Sequence, residues 1–242
     1  MKNYQNIFWL FSVLLTLTNF GCNPNYYIPN TQNVPVISAK GQTNLTFAIN
    51  DNQMEFQGAY GVTENLAIQA NTAMIAPEAE DNGNGGSGKL LDVGLGYYYN
   101  ILPYLLVETY GLAGFGKMEN HFPTSVDANP TTTGLISANV YRLGFQPCLS
   151  YHHPYFSVTG STKLMFLNYY DIDGSLIFDG IDQTVYLEDN KSNILVEPAI
   201  TIRGGLKKVK LQIQLLKSMN LSNKDFQQDD GMISIGLNFN FK

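Results

Sequence analysis

Charge is scarce in this chain. Asp, Glu, Lys and Arg together make up 14% of its 242 residues, where an ordinary soluble domain carries roughly 25%. A β protein with a water-facing exterior needs many Lys and Glu on its outward positions, for solubility and to guard sheet edges, so the shortage argues against such an exterior. What charge there is sums to −6 and forms no basic stripe, which excludes nucleic acid as a partner. Cysteine is scarcer still: Cys22 and Cys148 provide no disulfide framework. No phosphate loop, dinucleotide fingerprint or CxxC pair occurs, and no cofactor is expected. Long apolar runs are missing too. The run near the N-terminus, Ile7 to Leu17, is eleven residues, too short to cross roughly 30 Å of hydrocarbon as a helix.

That run reads instead as the core of a secretory signal, with Lys2 before it and small Gly21 after it. Thr18-Asn19-Phe20-Gly21-Cys22 resembles a bacterial lipobox, in which Cys22 is acylated and becomes the mature N-terminus; Asn19 and Phe20 depart from the usual pattern. Residues 1–21 are therefore expected to be a lipoprotein signal peptide. Residues 22–41 hold three prolines and no periodicity, which predicts an extended periplasmic tether. Residues 42–242 are expected to be one domain.

What the chain has in abundance is alternation. In "GMISIGLNFNFK" Ile233, Ile235, Leu237, Phe239 and Phe241 interleave with Ser234, Gly236, Asn238 and Asn240, a period of two that belongs to a strand with one apolar face. The same pattern recurs in Leu45, Phe47 and Ile49, in Leu91 to Tyr99, and in Val209 to Leu215. Ten strands follow from these runs, with eight as the alternative. After a short first hairpin, turns at 62–65, 100–103, 147–153 and 204–208 interleave with long connections at 75–88, 117–134, 168–193 and 217–231. Short connections on one rim and long ones on the other describe an all-β, transmembrane, antiparallel up-and-down barrel. The apolar face is nearly free of charge while the other carries Asn, Gln, Ser, Thr and Gly, so lipid outside and a polar lumen inside are expected. Closure is then obligatory, because hydrocarbon offers no partner to an edge strand. Tyr97 to Tyr99, Tyr104, Tyr151, Tyr155, Tyr169 and Tyr170 are expected to form interfacial belts.

The few inward charges invite pairing. A hairpin centred on loop 117–134 sets Glu108 nearly opposite Arg142, and one centred on loop 168–193 sets Lys163 nearly opposite Glu197. With Arg203 and Asp92 further along, these predict a buried ion network filling the lumen, since a lone charge there is costly. Catalytic chemistry is not supported. His121, Ser125 and Asp127 share a polar loop without a base oriented on a nucleophile, and His152-His153 point apart on a strand and lack further metal ligands. "DIDGS" lacks the oxygen ligands of a calcium loop, leaving the acidic connections as solvated rims. Cys148 is expected in a turn.

The stretches "GCNPNYYIPNTQNVPVISAKGQ", "FQGAYGVTENLAIQAN" and "VGLGYYY", with the aromatic last strand, resemble small lipidated outer-membrane β-barrel proteins of Gram-negative bacteria, porin-like and of the OmpA/OmpX type. That resemblance implies an outer-membrane location and carries no catalytic residues. The expected partners are outer-membrane lipid, acyl chains on Cys22 and other outer-membrane proteins. The expected role is structural or partner-binding, with a small porin or solute channel as the alternative.

Overall fold

The computed structural model describes residues 24–76, 85–122 and 133–241. Ten antiparallel strands follow one another in space as they do in sequence: β1 (Thr43–Ile49), β2 (Gln53–Gly61), β3 (Leu66–Ile75), β4 (Gly85–Leu102), β5 (Leu105–Phe122), β6 (Gly134–His153), β7 (Phe156–Gly174), β8 (Ser192–Gly205), β9 (Val209–Lys217) and β10 (Gly231–Phe241). β1 closes the barrel, because Leu45 pairs with Gly58 of β2 on one side and Phe239 of β10 on the other. Among the described residues no barrel strand is left as an edge.

The alternation resolves as two environments. Ile235, Leu237, Phe56 and Leu143 point outward and are about half exposed, and Leu95 and Phe115 are each 62% exposed. Their neighbours Ser234, Asn238, Gln57, Asp92 and Arg142 point inward and are buried. An apolar band running around a closed cylinder is untenable in water and suits hydrocarbon. The molecule is a membrane-spanning barrel of the outer-membrane type.

The strands of one wall are much longer than a bilayer requires. β4 to β7 have 18 to 20 residues, where about ten suffice to cross. The excess stands on the long-connection rim, where the outward residues turn polar: Lys89, Lys117, Glu119, His121, Asp171 and Asp173. This corrects the expected boundaries. Residues 117–122, read as loop, continue β5. Residues 147–153, read as a turn, continue β6, so Cys148 is a buried strand residue and the chain reverses at 154–155. The 168–193 connection also contains a short hairpin and helix α1 (Gln183–Asp189), capped by Asp182. Of the tyrosines expected in the belts, Tyr97, Tyr99, Tyr104, Tyr151, Tyr155 and Tyr170 stand outward. Tyr98 and Tyr169 do not: both are buried inside the barrel.

The largest departure concerns the N-terminal segment. Residues 24–37, read as a tether outside the domain, run through the lumen from the long-connection rim to the short-turn rim, nearly all of them buried.

Candidate functional site in the barrel lumen

An extended segment threaded through a barrel has no ladder of its own, so each buried amide needs a partner from the wall. The inward Gln, Asn and Glu side chains supply them. At the long-connection rim the Tyr26 amide donates to the Gln227 carbonyl, and the Tyr26 hydroxyl donates to Gln183 at 2.8 Å. Asn25 donates to Asp229; burial pushes that carboxyl above its usual range, opposed by the Asn25 amide. Midway down, the Thr31 amide and hydroxyl both donate to Glu55, at 2.8 and 2.7 Å, while Gln57 donates to the Thr31 carbonyl at 2.8 Å. Gln214 meets Gln32 as a neighbouring strand would, accepting from its amide at 2.7 Å and donating to its carbonyl at 3.0 Å. Gln146 donates to the Asn33 carbonyl at 2.7 Å. Lower still, the amides of Val36 and Ile37 both donate to Glu108, at 3.1 and 3.0 Å. Val36 adopts φ 58°, a region that costs a β-branched residue about 1–3 kcal/mol and persists only where surroundings impose it.

The charges are arranged around this segment. Arg142 pairs with Asp92, its Nε donating at 2.7 Å, and its Nη2 also donates to Asn30 at 2.9 Å. Lys163 pairs with Glu197 at 2.8 Å and donates to the same Asn30 oxygen at 3.2 Å. The Tyr27 hydroxyl donates to Glu197 at 2.6 Å. Asn30 thus bridges two cations held on separate strands. The pair spans β4 to β6 only because β5 offers Gly114 between them: a Cβ there would collide with the Asp92 carboxylate.

One expected contact needs correction. Glu108 does not face Arg142. Because β5 continues to Phe122 and β6 begins at Gly134, the hairpin's centre moves, and Glu108 lies opposite Cys148 while Arg142 lies opposite Gly114. Lys163 does lie opposite Glu197. Arg203, near the short-turn rim, forms no ion pair among the described residues; its Nε donates to Gln212 at 2.7 Å.

The lumen is also less polar than its strands imply. At its long-connection end Tyr26 and Tyr27 pack among Met118, Ile136, Met165 and Leu167, and at its other end Val36 and Ile37 pack among Tyr98, Leu106 and Tyr110. Tyr27, Asn30, Gln32 and Glu55 join the site without a motif in the sequence to mark them. Glu55 was accessible in principle, since it alternates with Met54 and Phe56; the other three lie outside any periodic run. His121 lies on the outer face of β5, while Ser125, Asp127 and the acylation candidate Cys22 fall outside the described residues.

No protein-family model and no curated protein matches the chain. Among solved structures it is similar to the translocator domain of the autotransporter NalP from Neisseria meningitidis, with 11% identity, a TM-score of 0.44 and coverage of 82% of this chain and 86% of that one. It is also similar to the KdgM porin, with 6% identity, a TM-score of 0.37 and coverage of 83% and 99%. The N-terminal β-barrel domain of Pseudomonas aeruginosa OprF gives 11%, 0.32, 84% and 98% in the same order. At these levels nothing about function follows from them.

Proposed function

We propose that this protein is an outer-membrane barrel closed by its own N-terminal segment, acting as a monomeric structural or partner-binding component without catalytic activity. The observation that carries this reading is the threading of residues 24–37, whose backbone is held by side chains of β2, β5, β6 and β9. On this reading the threaded segment blocks the passage of solute through the lumen. The cell-surface rim, with its long connections and tall β4–β7 wall, is the face offered to a partner.

Acylation of Cys22, which lies outside the described residues, is part of this proposal.

Planar-bilayer recording of the purified full chain tests the closed-lumen reading. Conductance is expected to stay at baseline, whereas steady nanosiemens-scale steps would establish the alternative, a small porin or solute channel.

A further inference from the structure

We propose that the short-turn mouth of the lumen is a binding site for a phosphate-bearing anion. A cavity of about 270 Å³ opens there, between the lower end of the threaded segment and the turns at 154–155 and 206–208. Its charged lining is of one sign: Arg203, Lys207 and Lys210, with His152 and His153 beside them. Among the described residues no carboxylate lines it. Glu108, inward on β5, is engaged by the Val36 and Ile37 amides and the Tyr110 hydroxyl.

Arg203 makes this a built site. The side chain is 2% exposed, and a guanidinium so enclosed is costly without an anion or a full set of acceptors. Among the described residues its Nη2 has no acceptor, although Nε is satisfied by Gln212. Gln212, directly opposite on β9, spends its oxygen on that bond, and its own Nε2 is left without a partner. His152 Nε2 is the third orphan at this end. Among the described residues these three buried atoms lack partners; two are obligate donors, and His152 Nε2 donates in its protonated tautomer, beside two lysines. An acceptor-only tetrahedral anion in the cavity supplies what this mouth lacks, a negative charge beside the enclosed guanidinium and acceptors for the two ammonium groups. Asn240 at the margin adds neutral hydrogen-bonding capacity for whatever carries the phosphate.

Two sources present this chemistry on that side: a free phosphate or phosphomonoester, and the headgroup of an anionic phospholipid whose leaflet borders the mouth. The test is titration calorimetry of the full-length protein in a non-ionic detergent, with inorganic phosphate in one arm and dihexanoyl-phosphatidylglycerol in the other. Saturable binding in either arm is expected, weakened at least tenfold by Arg203→Gln. Since Arg203 is buried and its variant can misfold, Lys207→Gln on the exposed turn is the second variant, with an expected loss of threefold or more. Binding by phosphate alone assigns the free anion, and binding by the lipid alone assigns the headgroup. No binding in either arm, or equal affinity in all three proteins, overturns the proposal. This result is independent of the conductance measurement, because the mouth opens to one side whether or not the segment above it yields.

Discussion

The two faces of one strand behave as two different kinds of surface. On β10, Ile233, Ile235 and Leu237 each present hydrocarbon to the same surroundings, and none depends on a particular neighbour. The inward residues do. Asn238 donates to Asn44 at 2.7 Å and to Thr46 at 2.8 Å, and Gly236 lies so close to the Phe47 carbonyl and Ala48 that a Cβ would have to displace backbone. The outer wall is thus matched to a solvent, whereas the inner wall is matched to particular neighbours, on adjacent strands and on the threaded segment 24–37. Changes outside should cost according to depth in the membrane, and changes inside according to which contact is lost.

Removing the partner segment should have the largest effect. A chain lacking residues 24–36 keeps every strand pairing, so it should still migrate heat-modifiably as a barrel, but its inward amides and carboxylates would face water. Conductance in planar bilayers should rise from baseline to discrete steps, with a lower urea midpoint in vesicles. Unchanged conductance would mean that the wall's own side chains seal the lumen.

Next in size is a single buried charge. Lys163→Met leaves Glu197 without its cation in the lumen and should cost about 3–5 kcal/mol of unfolding free energy. Adding Glu197→Met should restore much of that loss, because the unpaired charge is the penalty. On the outer wall, Leu237→Arg should cost about 2–4 kcal/mol near the membrane midplane, falling to about 0–1 kcal/mol for Phe241→Arg at the rim. Equal costs at the two positions would show that the outer wall is not graded by lipid.

These contrasts also explain what could be read in advance. The outer wall was legible because hydrocarbon imposes one rule at every second residue, so ten strands, closure and the unequal rims follow from period two. Lys163 facing Glu197 was legible for the same reason, since register is a counting problem once a hairpin's centre is right. Glu108 failed that count because Lys117 to Phe122 continue the ladder above the membrane, where outward residues are polar and resemble a loop. β5 to β7 alternate poorly because Met118, Phe122, Val140 and Leu167 are apolar on the inward side as well. Residues 24–37 were opaque because a threaded segment pairs with side chains and has no periodicity of its own. Its composition held one clue: Asn30, Thr31, Gln32 and Asn33 are hydrogen-bonding residues at four consecutive positions, without the Gly and Ser of a flexible linker.

The smallest effect gives the sharpest comparison, because it holds the interaction fixed and changes only the surroundings. Lys217 and Asp230 form an ion pair of 2.9 Å on the long-connection rim, with side chains 53% and 78% exposed. Lys163 and Glu197 form one of 2.8 Å in the lumen, at 3% and 0%. On the rim, water solvates either partner when the other is removed, and the pair pays side-chain entropy to stay together. Asp230→Asn should therefore shift the unfolding free energy by no more than about 1 kcal/mol, and the shift should vanish in high salt. In the lumen no water stands ready to replace the lost partner, so the Lys163→Met penalty should persist in the same salt. If both variants lost stability equally, or both effects were screened alike, the lumen would be wet, and the threaded segment would not be sealing it.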